Sequence, residues 1–243
     1  AGVVLITEMK RWKKKAKRLN SSSGMAVKKK LAQKMSKMVG LPPGSLVHIG
    51  EQRADKVRID VINYNDKDFQ ERVIEQIDEC FVFKEKPDVT WINIEGIHQP
   101  EIIQKLGDCY GFHPLMLEDI LNTGQRPKVE DFHNYMYIVL KMLYHKDDSE
   151  EIVTEQISLI LGQNFVISFQ EGREGDVFNH IRERIKSGKG RIRQMGADYL
   201  AYSLMDAIVD NYFVILERLG ERIELLEEDL ISHPTPNTLN ALH

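Results

Sequence analysis

From Met195 to Ser232 the chain carries no proline, and its only glycines are Gly196 and Gly220. Along this stretch Leu200, Leu204, Ile208, Asn211, Ile215, Leu219, Ile223, Leu226 and Leu230 recur at spacings of three and four, the period of one face of an α-helix. At 1.5 Å per residue the pattern predicts a helix of roughly 55 Å. A globular domain of this size needs nothing that long, so such a helix projects, packs against copies of itself, or leads elsewhere.

What precedes it alternates between strand and helix patterns. Gly40-Leu41-Pro42-Pro43-Gly44 punctuates the start of a domain. Ser45 to Ile49 and Lys56 to Asn63 have the alternation and β-branched content of strands, and Asp66 to Ile77 reads as a helix capped by Asp66. Thr90 to Ile94 reads as a short buried strand with Trp91 in the core. Helices are expected from Pro100 to Cys109 and from Pro114 to Leu121, each with proline in the first turn, the second ended by Asn122-Thr123-Gly124. Tyr135 to Met142, Val153 to Leu161 and Phe165 to Gln170 then form three successive strands, the antiparallel part of a mixed sheet. A helix over Val177 to Lys186 stops at Ser187-Gly188-Lys189-Gly190, which follows a helix and not a strand and so is no phosphate loop. The fold class is α/β. Three segments are expected: a basic extension at 1–38, an α/β domain at 39–194, and a long helix with a following turn at 195–243.

At 243 residues, 42% of them hydrophobic, the chain can bury a substantial core. Cys80 and Cys109, its two cysteines, lack ligand spacing, so a reducing setting is expected, with neither a disulfide framework nor a zinc site. No apolar run of bilayer length is evident, and the basic N-terminus lacks the apolar core of a signal peptide, so the chain as written reads as soluble. The net charge of −4 conceals a division. Residues 1–38 hold twelve Lys/Arg against Glu8 alone, a local +11, which leaves −15 for residues 39–243. So acidic a body repels phosphates and attracts cations; the basic leader is either a solvated extension or a binder of nucleic acid or anionic lipid. The chain stops just after Pro234-Thr235-Pro236 with no sign of a completed domain, and reads as a fragment.

Enzyme signatures are absent: no Gly-rich phosphate loop, GxSxG, HExxH or Cys/His pair in a recognisable context. The candidate chemistry lies in the acids. Glu118 and Asp119 sit among Pro114, Leu115, Met116, Leu117, Ile120 and Leu121, as either the outward edge of an amphipathic helix or a place for a cation. Adjacent helical residues point about 100° apart, but Mg²⁺ accepts one or two carboxylates and keeps several waters. Asp206 and Asp210 stand at i and i+4 on the long helix, where like charges destabilise by a few tenths of a kcal/mol unless a divalent cation reverses the sign. Spacing alone does not separate a solvated face from a cation-facing one. His113, alone beside Pro114, reads as a cap or a packing residue.

Taken together, GLPPGSLVHIG (40–50), TWINIEGIH (90–98), FHPLMLEDILNTGQRPKVEDF (112–132), YIVLKML (137–143) and ADYLAYSLMDAIVDNYFVILE (197–217) resemble, in order and spacing, the cytoplasmic domain of CorA-type Mg²⁺/Co²⁺ transporters. The resemblance covers residues 39–243. It implies an αβα sandwich with a mixed parallel/antiparallel sheet, followed by a long projecting helix. It further implies a homopentameric transporter at the cell membrane, with this portion on the cytoplasmic face. The stalk helix, both membrane spans and the Gly-Met-Asn pore motif would lie beyond His243, so the chain as written would not itself conduct ions. In such transporters Mg²⁺ acts as a regulatory ligand, with Co²⁺ possible, bound between subunits to hold the closed state. The matching acids are Asp119, Glu118 and Asp206, with Asp210 nearby, and their main carboxylate partner would lie on the stalk of the adjacent subunit. A Zn²⁺-transporting relative on the same scaffold is the nearest alternative. A nucleic-acid-binding protein using the basic leader is an alternative from another class, but under the resemblance no nucleic acid partner is expected.

Overall fold

Strands β1 (Arg58–Tyr64), β2 (Phe69–Ile74), β3 (Val89–Glu95), β4 (Lys128–Asp131), β5 (Met136–His145), β6 (Ile152–Leu161) and β7 (Phe165–Gln170) join in one sheet of order β2-β1-β3-β7-β6-β5-β4. β3 and β7, at its centre, run parallel; every other neighbouring pair is antiparallel. The two central strands are buried on both faces, as strands covered by helices on two sides must be. This computed structural model describes residues 40–42, 44–146, 151–172, 176–232, 235 and 238–239. The basic extension at 1–38 lies outside the described residues.

Helices α1 (Pro100–Tyr110) and α2 (Pro114–Leu121) cover one face, together with a 3-10 turn at Ile77–Phe83. Their Leu106, Leu117 and Ile120 pack with Ile92, Ile94 and Phe169 of the sheet. Helices α3 (Asn179–Ser187) and α4 (Ala197–Ser232) cover the other, where Ile181, Leu200, Leu204 and Ile208 meet Trp91, Leu159 and Val166. The molecule is therefore an αβα sandwich with a mixed sheet. Pro100 and Pro114 stand in the first turn of their helices, where a missing N–H costs nothing. α1 and α3 end on Gly111 and Gly188 at φ 73° and 66°, a left-handed conformation that disfavours any β-carbon.

The long helix is present over 36 residues, about 54 Å. Its buried residues run from Ala197 to Ile215. Asn211 Nδ2 donates to the Leu143 carbonyl and the Tyr212 hydroxyl to that of Lys141, fixing this part of the helix to β5. Beyond Ile215 none of its described residues is buried, and Leu216 and Ile231 are 59% and 83% exposed. By length and composition α4 is apolar enough to cross a membrane, which corrects the expectation that no run in the chain is. Its first five turns spend that apolarity on the sheet.

Three local expectations fail for tertiary reasons. Asp66 to Ile77 is not a helix: through Ile74 it is the turn and second strand of a hairpin, and Ile77 opens the 3-10 turn. Asn65 Oδ1 accepts from the backbone N–H groups of Lys67 and Asp68, at 2.8 and 2.7 Å, and reverses the chain before Asp66 can cap anything. Pairing with β1 then overrides a weak helical preference on an exposed edge. Ser45 to Ile49 makes only an isolated bridge, Ile49 to Asn122; Ile49 exchanges backbone hydrogen bonds with Leu121 and Thr123 at the end of α2. β4 was not expected at all, because Lys128-Val129-Glu130-Asp131 has the charged composition of an edge strand, legible only once β5 lies beside it.

Candidate functional site

α2 is short and anchored by its apolar side. Met116, Leu117, Ile120 and Leu121 are buried, and the His113 side chain accepts from the Leu115 N–H at the start of the helix, the capping role expected of it. With those four residues committed to the core, Glu118 and Asp119 fall at its half-buried margin. Glu118 Oε2 accepts from the Gly44 N–H at 3.0 Å, tying the entry loop to α2.

Asp119 has both carboxylate oxygens occupied. Oδ1 accepts from Gln125 Nε2 at 2.6 Å and Oδ2 from Lys128 Nζ at 2.5 Å. Lys128 also donates to Glu130 Oε1 at 2.8 Å and lies 5.5 Å from the centre of the Tyr137 ring. The turn that carries Gln125 to this point is held by Gln156, whose Nε2 donates to the Asn122 carbonyl at 3.1 Å and whose Oε1 accepts from the Gln125 N–H at 3.0 Å. Lys141 Nζ adds a bond to the Thr123 carbonyl at 2.9 Å. Burial pulls the Lys128 ammonium down, but its bonds to Asp119 and Glu130 outweigh burial and leave its pKa above the ordinary lysine value.

Asp206 and Asp210 are exposed on α4. Asp210 also borders a groove of about 1040 Å³ along that helix, lined as well by His145, Asp176 and His180. Since α2 and α4 cover opposite faces of the sheet, one chain keeps the α2 acids apart from the α4 acids. Among the described residues no three His, Cys, Asp or Glu side chains are grouped so as to hold a metal ion. The α4 acids are open to solvent, whereas a cation reaching Asp119 meets oxygens already bonded to Gln125 and Lys128.

Some of the chemistry escaped the sequence reading. Gln125 and Lys128 lie in the quoted QRPK run, but their bonds to Asp119 depend on the turn after α2. Glu155 and Glu171 form a second acidic locus, inside the protein, with no local signal. Glu155 Oε1 accepts from the Gly172 N–H at 2.9 Å, while its Oε2 is buried without a hydrogen-bond partner. Burial, with the nearby Glu171 charge, pushes the Glu155 carboxyl up to about 8, against the opposing pull of the Gly172 N–H. Glu171 accepts from the Gln156 N–H at 2.8 Å and lies 3.5 Å from Arg53 Nε.

The fold is thus an αβα sandwich with a mixed sheet, whose long helix outruns the sheet and carries exposed acids. The family model described as CorA-like Mg²⁺ transporter protein matches residues 86–243. The cobalt/magnesium transport protein CorA of Thermotoga maritima is 46% identical over 211 residues, which cover 87% of this chain and 60% of that protein. Among solved structures, full-length CmaX superposes with a TM-score of 0.62 at 18% identity, covering 79% of this chain and 58% of that one. The soluble domain of CorA from Methanocaldococcus jannaschii superposes at 0.56 with 17% identity, covering 75% and 68%; at these identities the likeness is one of fold. The chain belongs to the CorA-like Mg²⁺ transporter family, a family of transporters and not of enzymes, and spans 60% of the length of the Thermotoga relative.

Proposed function

We propose that this chain is the Mg²⁺-sensing part of a Mg²⁺/Co²⁺ transporter, and that divalent cations bound between neighbouring subunits hold the closed state. Asp119 is the principal ligand, with Glu118, Asp206 and Asp210 as its companions. The observation that carries this reading is the placement of the two acid pairs on opposite layers of one chain. Residues so placed never meet within a subunit. In a head-to-tail ring, however, one face of each subunit meets the other face of the next, and every boundary then receives acids from two chains. A homopentamer is the ring we assign, with the stalk of the adjacent subunit supplying a further carboxylate.

A site of few carboxylates and retained waters binds Mg²⁺ weakly, which suits a sensor of cellular Mg²⁺. Gating is then a matter of linkage: Mg²⁺ favours the closed assembly because it binds there better than in the open one. In this arrangement 39–194 is the sensing domain on the cytoplasmic face of the membrane, 195–243 leads to the stalk, and 1–38 is an extension.

The test uses the full-length transporter. Asp119→Ala combined with Asp206→Ala should raise the Mg²⁺ concentration needed for half-maximal protection from protease. An unchanged Mg²⁺ dependence would remove both residues from the sensor. Transport assays with Mg²⁺, Co²⁺ and Zn²⁺ in competition on the same protein check the ion assignment.

A further inference from the structure

We propose that Lys128 is a built-in competitor for the cation site, an ammonium that a divalent ion must displace from Asp119, with Glu130 as the carboxylate to which it retreats. The inference rests on the reading that Asp119 binds a divalent cation, and it names what sets the concentration at which that site responds.

The geometry supports each part of the exchange. Lys128 Nζ contacts Asp119 Oδ2 at 2.5 Å and Glu130 Oε1 at 2.8 Å, so one ammonium is shared by two carboxylates. Lys128 and Glu130 are two residues apart on β4 and therefore on the same side of the strand. Passage from the shared position to Glu130 alone needs only rotation of the lysine side chain. The buried Tyr137 ring also faces the ammonium, 5.5 Å from its centre. Lys128 and Asp119 are only 25% and 27% exposed, so water screens the contact less than it would a surface pair. An arriving cation therefore competes for Asp119 Oδ2 with an ammonium already in contact with it. Gln125, the other donor to Asp119, is neutral and needs only to turn its amide aside.

With Lys128 in place the Asp119 charge is compensated; removing the Lys128 charge leaves that carboxylate uncompensated, the better match for a dication. The experiment is a Mg²⁺ titration of the full-length transporter, in which both sides of the subunit boundary are present, read as the Mg²⁺ concentration that gives half-maximal protection from protease. Lys128→Gln should lower the Mg²⁺ midpoint by up to about fivefold, the scale of a partly screened ion pair. Lys128→Arg should keep the wild-type midpoint. Lys105→Gln, which removes an equal charge from an exposed pair with Asp78, should move it much less. Glu130→Gln leaves the Lys128–Asp119 contact intact but removes the retreat. It should raise the midpoint in the wild-type background and leave it unchanged beside Lys128→Gln.

A response abolished by Asp119→Asn yet indifferent to Lys128→Gln overturns the competitor role and leaves the site standing. Equal shifts from Lys105→Gln and Lys128→Gln overturn it too, by reducing it to general charge. If Glu130→Gln raises the midpoint equally in both backgrounds, Glu130 is a ligand and not a retreat. A response that Asp119→Asn does not touch, or no response at all, overturns the site reading and the competitor with it.

Discussion

Glu155 shows how far a side chain's chemistry can depart from its sequence context. It has no accessible surface, and one of its oxygens lacks a partner. Its folded-state pKa, about 8, lies well above the ordinary value of 4.5. A carboxyl raised in this way contributes stability that is complete below its unfolded pKa and is lost as pH rises through the folded one. Between about pH 4.5 and about 8 the chain should therefore lose stability, on the order of a few kcal/mol. Urea unfolding across that range should show the slope, and Glu155→Gln, which keeps the oxygen that accepts from Gly172, should flatten it. If the two proteins share one slope, Glu155 is ionised throughout. The acid could be read from the sequence; its environment could not, since Glu171 and Gly172 reach it only through the turn back from β6 to β7.

Among the elements, α4 is two helices in function and one in sequence. Its three-and-four pattern continues unbroken to Leu230, but only the part up to Ile215 is covered by the sheet. Leu204→Ala should cost about 2–5 kcal/mol, as expected for a fully buried leucine. Leu216→Ala, at an exposed position, should change the stability of this chain by no more than about 0.5 kcal/mol. Denaturant unfolding of the two variants measures the difference, and equal losses would mean that the outer half is covered in solution. Helices carrying strong local punctuation were legible within a residue or two: α1 and α2 through their prolines, α3 through Gly188. β2 and β4 are not legible in this way, because both are edge strands whose exposed, charged residues carry no alternation of their own.

For the whole molecule, the separation of the acid pairs by the sheet has a thermodynamic consequence. If the ligands come from two chains, Mg²⁺ stabilises an association and not a monomer, so its effect must depend on protein concentration. Thermal melts of the chain with and without Mg²⁺ should show a rise in Tm that grows with protein concentration. That growth should vanish in the Asp119→Asn/Asp206→Asn double variant. A Mg²⁺ effect independent of concentration would place the ligands within one chain.

The α/β alternation, the long helix, the acidic body and the presence of Glu118, Asp119, Asp206 and Asp210 are legible without a structure. Each of these depends on neighbours along the chain, through periodicity, proline and glycine punctuation, or charge counted residue by residue. Tertiary structure alone decided that α2 and α4 cover opposite faces, that Asp119 is held by Gln125 and Lys128, and that Glu155 is buried. The physical reason is the same in each case. Strand order and register bring together residues far apart in sequence, and the desolvation and pairing that set a carboxylate's chemistry arise only at those meetings.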